Sequence, residues 1–135
     1  MIRAQSFSID DRRGLGSFLH TLIEHTGWSR PFAIKAIDEY KRFMILRSLD
    51  VHRELIPSMI VDSVWHLHLL YTVNYQQFCR SVLDVDFIHH EPSKGNVKEE
   101  QERVRRYHET LTAYAAVFSI PAPSSHWGAP ADSKI

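Results

Sequence analysis

The densest chemistry in the chain lies in Val61-Asp62-Ser63-Val64-Trp65-His66-Leu67-His68-Leu69-Leu70. Asp62 and His66 stand four residues apart, so on a helix they share one face and can meet one ligand or each other. A carboxylate and an imidazole in that relation form a recurrent half-site for a divalent metal; the same spacing also suits a plain ion pair. His68 follows His66 by two steps of about 100°, which places it about 200° round a regular helix. It cannot easily share an ion with His66. It aligns instead with Tyr71, Thr72, Tyr75 and Cys79, and reads as a satisfied structural histidine or as one that orients a ligand or bonds Tyr75. A second imidazole pair, His89-His90, lies further on. Neighbours in an extended segment point to opposite sides, so at most one of the two faces the helices unless the loop turns sharply. If that one closes on His66, the set becomes Asp62, His66 and His89 or His90. Three ligands with open positions are the arrangement of catalytic metal centres, and this donor mix suits Zn, Fe or Mn. Trp65, His68, Tyr75 and Cys79 would line the pocket behind the ligands, although Cys79 by itself reads as a small buried hydrophobe. The rival reading is a non-enzymatic protein-interaction module, in which the same histidines and aromatics form a structural polar core.

These histidines belong to a chain of 135 residues with nine His in all, about two to three times ordinary usage. Four of them fall between positions 66 and 90; His20, His25, His52, His108 and His126 are scattered and read as bland. Lys+Arg and Asp+Glu are both 16, giving zero formal charge. That balance argues against nucleic acid as a partner, and Arg103, Arg105 and Arg106 are a short cluster among glutamates. The hydrophobic fraction of 44% is too high for a disordered chain. One cysteine excludes a disulfide framework and a Cys-rich zinc fold. No apolar run approaches the roughly 18 residues of a membrane span, and the first residues lack a signal-peptide apolar stretch. The expectation is a soluble, cytoplasmic domain whose partner is a small molecule or a protein. No nucleophile elbow, P-loop or dinucleotide fingerprint occurs, and Gly14-Leu15-Gly16 is too short to cradle a phosphate.

Helices must position these groups. Ser8 with Asp11 resembles a capping signal for a first helix, whose stripe is Leu15, Phe18, Leu19, Leu22 and Ile23 and whose stop is Gly27. Ser29 caps a second helix with Pro31 in its first turn, running to about Leu49. Its apolar set includes Ala33, Ala36, Tyr40, Phe43 and Met44, with Glu39, Lys41 and Arg42 mostly off the stripe. After a loop at about 50–56, Pro57-Ser58 opens the His-bearing segment. Residues 58–83 fit either one helix or two, with Thr72 as a re-cap or kink. Residues 83–95 read as an ordered loop. Asn96 caps a last helix over about 97–118, with Val104, Tyr107, Leu111, Tyr114, Ala115 and Phe118 inward and His108 outward. The predicted architecture is all-α: a compact antiparallel bundle of four to five helices, with an ordered His-containing loop before the last. Residues 1–120 form the domain, and 121–135 form a Pro-rich tail that reads as extended or disordered. Trp127 in that tail serves as an anchor on the domain surface or as a docking element for another protein.

The string Pro57-Ser58, Val61-Asp62, Trp65-His66-Leu67-His68, Leu70, Tyr75, Cys79, His89-His90 and Pro92 resembles the glycine-rich domain-containing protein-like family, long described as a domain of unknown function. Its hallmark is a Val-Asp-x-x-Trp-His-x-His helix. The likeness covers about residues 40–128. It extends through Tyr107, Thr110-Leu111, Tyr114 and Phe118 to Pro121, Pro123 and Trp127-Gly128. The resemblance implies an all-α domain in which His66, His68, Cys79 and one of His89 and His90 form a metal-binding or catalytic pocket. It implies no particular reaction. This chain departs from the pattern in having five glycines in all, and in carrying Asp84-Val85-Asp86-Phe87 where the family is expected to have a glycine before the aromatic residue.

Overall fold

A computed structural model describes residues 17–90 and 97–129. The expected cap at Ser8 and Asp11, the Gly14-Leu15-Gly16 stretch, Pro92, Gly95 and the cap at Asn96 lie outside them. Among the described residues there are helices and no strands, so the fold is all-α. The helices are α1 (Ser17–Thr26), α2 (Arg30–Leu49), α3 (Met59–Leu70), α4 (Thr72–Gln77), α5 (Val97–Phe118) and α6 (Ser124–Trp127); a π-helical turn, Phe78–Val82, continues α4.

Each boundary has a local cause. Gly27 takes φ 75°, and its N–H bonds the Ile23 carbonyl at 2.8 Å, the left-handed stop that glycine provides. Ser29 caps α2 by accepting the Phe32 N–H at 3.3 Å. Ser58 caps α3 by accepting the Val61 N–H at 3.1 Å, and its own hydroxyl donates to the His126 carbonyl at 2.7 Å. One serine therefore starts a helix and fastens the C-terminal segment to it.

The central element is α2, which packs against α1, α3 and α5. Ala33 and Ala36 are fully buried, and side chains this small let neighbouring backbones come close. Tyr40, Phe43 and Met44 fill the space below, joined by Val61, Val64 and Trp65 from α3 and by Tyr107 and Tyr114 from α5. Two charged residues expected off the α2 stripe, Glu39 and Lys41, are buried. The reason for Glu39 lies in the C-terminal segment. Its Oε1 accepts from Tyr114 Oη at 2.7 Å and from Trp127 Nε1 at 2.9 Å, and Arg42 Nη1 donates to the same tyrosine oxygen at 2.8 Å. Buried polar groups must be paired, and here the pairing seats a tryptophan. Trp127 is 2% exposed. Residues 124–127 are thus a helical turn packed on α3 rather than extended chain. His126, expected to be bland, is buried and stacks on Phe32 with ring centroids 4.0 Å apart. Ala115, expected inward, is exposed.

Residues 58–83 form two helices. The break is at Tyr71 (φ −92°, ψ 66°), whose N–H closes α3 on the His68 carbonyl at 2.9 Å while its own carbonyl accepts the Tyr75 N–H at 2.8 Å. The chain turns there without losing either bond. After the π-helical turn, Asp84 takes φ 57°, a left-handed conformation that favours glycine but that aspartate tolerates. This is the stretch where the resemblance leads one to expect a glycine. From it the loop runs back over α3 and α4 and carries Phe87, Ile88, His89 and His90.

Candidate metal centre

Asp62 and His66 lie one turn apart on the loop-facing side of α3, and the loop lowers His90 between them. His90 Nε2 is 2.5 Å from Asp62 Oδ1 and 3.0 Å from His66 Nε2; His66 Nε2 is 3.3 Å from Asp62 Oδ2. One ligand atom from each residue lies within 4.8 Å of the others. Burial grades across the group: the side chain of Asp62 is 6% exposed, that of His90 16% and that of His66 58%. The carboxylate is the inner corner, and His66 is the corner that meets solvent. His90 is held from below by the Trp65 ring, with centroids 4.4 Å apart.

The three atoms compete for whatever lies between them. An imidazole Nε2 has one in-plane direction in which to donate or accept, yet that of His90 faces both a carboxylate oxygen and another imidazole nitrogen. A proton satisfies this convergence, and so does a cation. Zn–N and Zn–O bonds of about 2.0–2.2 Å at tetrahedral angles hold ligand atoms about 3.3–3.5 Å apart. The His66–Asp62 edge already has that length. The two His90 edges are shorter, so an ion would enter as the His90 ring withdraws from the carboxylate by less than about 1 Å. The three donors could therefore hold a metal ion, with His66 as the most exposed of the three ligands.

The other site residues named from the sequence fall into two places. His89 is exposed and packs on Phe87, with centroids 4.8 Å apart; it lies outside the group. Trp65, Tyr75 and Cys79 sit together beneath the loop. Trp65 Nε1 donates to Tyr75 Oη at 3.0 Å, and Tyr75 Oη donates to the Ile88 carbonyl at 2.5 Å. Burial raises the Tyr75 hydroxyl well above its ordinary range, so it stays protonated and able to donate. Burial likewise pushes the Cys79 thiol up, despite hydrogen bonds to the Ile88 backbone and Tyr75 that pull the other way. A thiol held protonated is neither a nucleophile nor a ready metal ligand.

His68 is elsewhere. It is fully buried, with Nδ1 2.6 Å from Tyr40 Oη and Nε2 2.8 Å from Asn74 Oδ1. An amide oxygen can only accept, so Nε2 carries the proton and Nδ1 accepts from Tyr40. Burial is the main cause that lowers its pKa to about 4; the bond to Asn74 opposes this, and the nearby Lys41 charge adds to it. The expected bond to Tyr75 is instead an edge contact between rings, with centroids 5.1 Å apart. Tyr40 and Asn74 are the partners that sequence reasoning missed. Tyr40 stood in an apolar stripe, and Asn74 reaches His68 only because the chain turns at Tyr71.

A surface cleft lined by His52, Arg53, Glu54, Arg105, Arg106 and Glu109 is another place where ionisable groups gather. Its arginines are paired with Glu54, Glu102 and Glu109, so it offers an anion no uncompensated charge.

Fold and site together define an all-α domain with a two-histidine, one-carboxylate group at a helix–loop junction. Over residues 17–116 the chain matches the UCP032817-like family, and it belongs to that family, whose function is uncharacterised. No curated protein and no solved structure matches it. No helix among the described residues is long and apolar enough to cross a membrane.

Proposed function

We propose that this domain binds one divalent transition ion through Asp62, His66 and His90, and that this is its working centre. The observation that supports the reading is the convergence of three ligand atoms from two separate elements, with the carboxylate buried and one imidazole open to solvent. A structural zinc site closes four protein ligands around the ion; three ligands and an open side are the pattern of sites that take a water or a substrate. Two imidazoles and a carboxylate suit Zn, Fe or Mn, and such a centre supplies activation of bound water or of dioxygen. The bound species is a small molecule or a group on a partner protein. The likeness to the glycine-rich domain-containing proteins belongs to this reading, since it rests on the same Trp-His-x-His helix. A single buried cysteine without a disulfide partner suits a reducing compartment, and we place the protein in the cytoplasm.

Elemental analysis of protein purified without chelators or a nickel column tests the reading. One ion per chain is expected, lost in His66→Ala and in His90→Ala. Metal absent from the native protein, together with no uptake of added Zn, Fe or Mn, would rule it out.

One observation favours a second reading. The short His90–Asp62 contact closes the loop onto α3 without any ion. If that is its whole purpose, the cluster is a clamp in a non-enzymatic interaction module. His90→Ala then lowers the melting temperature equally with and without EDTA, whereas a bound metal makes the two curves differ.

A further inference from the structure

One hydroxyl joins the helix that carries Asp62 and His66 to the loop that carries His90. Tyr75 Oη accepts from Trp65 Nε1, beside His66 on α3, and donates to the carbonyl of Ile88, two residues before His90. The tyrosine is buried and comes from a third element, α4, so it belongs to neither ligand-bearing segment. Its ring is held by edge contacts to His68 at 5.1 Å and to Phe87 at 5.1 Å. The hydroxyl therefore has a fixed position from which it sets the height of the loop above α3. Ile88 is itself buried, which holds this part of the loop against the core. Trp65 completes the arrangement, because the indole whose N–H bonds Tyr75 is also the floor under the His90 ring.

We infer that Tyr75 is a positioning residue for the metal centre: through its hydrogen bonds to Trp65 and to the Ile88 carbonyl it holds His90 at the distance from Asp62 and His66 that a shared ion requires. This rests on the reading of Asp62, His66 and His90 as ligands. The tyrosine touches no ligand atom and takes no part in coordination; it decides where one of the three ligands stands. Groups that orient metal ligands from behind typically change affinity about 10- to 100-fold when removed.

The test is Co(II) titration of the full chain, read by the visible absorption of the bound ion. Tyr75→Phe keeps the ring and removes the tether. It is expected to weaken Co(II) binding about 10- to 100-fold and to shift the absorption bands, because one imidazole is no longer held in place. Tyr40→Phe removes a buried hydroxyl of the same kind that bonds His68 and not the loop. It should lower the melting temperature while leaving affinity and spectrum unchanged, which separates positioning from loss of stability. If the wild type binds Co(II) and Tyr75→Phe binds it with the same affinity and spectrum, the inference fails and the metal reading stands. If the wild type takes up no Co(II), both fail. Should Tyr75→Phe not fold, Trp65→Phe removes the other half of the tether, and the same comparison of affinity and spectrum decides.

Discussion

Two histidines stand two residues apart on α3 and face opposite environments. His66 lies on the outer side, with its side chain 58% exposed and its partners a carboxylate and a second imidazole that themselves compete for each other. His68 lies on the inner side, without solvent exposure, and each ring nitrogen has one well-matched partner, Tyr40 or Asn74. Residue type does not separate the two. What separates them is whether the hydrogen-bonding capacity is closed. At His68 both ring nitrogens have a partner and the ring is buried. At His66, three atoms that each could bind a cation point at the same place, and one side is open.

The comparison breaks most sharply under truncation. His68→Ala leaves a cavity and strands the Tyr40 hydroxyl and the Asn74 amide, and is expected to cost about 3–5 kcal/mol. His66→Ala in metal-free protein removes an exposed ring and should cost about 0–1 kcal/mol. Urea unfolding of both variants in EDTA measures the difference. Similar costs would mean that the two sides of the helix are not different in kind.

Acid sharpens the same contrast. The pKa of His68 is lowered from 6.5 to about 4 in the folded protein, chiefly by burial. The folded state thus refuses a proton that the unfolded chain accepts. Above pH 6.5 this has no effect. Between 6.5 and 4 stability falls as pH falls, and below 4 the loss is complete at about 3 kcal/mol. Tyr40, Tyr75, Asn74 and Lys41 lie near the ring; the tyrosines stay protonated through this window and Asn74 does not titrate, so the part of the slope that disappears with the imidazole belongs to His68. Urea midpoints from pH 7.5 to 4.5 should decline more steeply in the wild type than in His68→Gln, whose side chain takes up no proton. Parallel declines would contradict the assignment.

Much of this arrangement was legible in the residue spacing. The i, i+4 relation of Asp62 to His66 and the 200° offset of His68 follow from helix geometry alone, and both hold. The all-α class likewise followed from the apolar stripes, and Gly27, Ser29 and Ser58 mark the boundaries they were expected to mark. The spacing left one helix or two open over residues 58–83, with Thr72 as a re-cap or kink; what it could not decide was the turn one residue earlier, at Tyr71, because it depends on two backbone bonds made at one residue rather than on a glycine or proline. That turn brings Asn74 to His68 and directs Tyr75 beneath the loop. Glu39 was also illegible: a charge expected off the apolar stripe of α2 is buried, and its partner is a tryptophan 88 residues away that donates to it. Long-range partners of this kind leave no local pattern.

Metal tests the outer side directly. An ion that binds only the folded state, present at about a hundred times its dissociation constant, adds about 2.7 kcal/mol. For a chain of this size that raises the melting temperature roughly 5–10 °C. The shift should vanish in His66→Ala and survive in Tyr40→Phe, although the latter starts from a lower temperature. A shift that persists in His66→Ala would move the binding site away from this group.

The smallest effect is expected at the residue next to the centre. His89 and His90 are adjacent and chemically identical, and the loop's extended backbone sends them opposite ways. His90 goes under, against Trp65 and Asp62; His89 goes out, with its ring on Phe87. His89→Ala gives up one exposed aromatic contact, so its cost should stay below about 0.5 kcal/mol. Its metal-induced shift should equal that of the wild type, while His90→Ala loses the shift entirely. Thermal melts of the two variants with and without Zn(II) make the comparison within a single dipeptide. Equal losses in both would mean that the loop can turn over to present either ring, and that the 2.5 Å contact between His90 and Asp62 is not what selects the ligand.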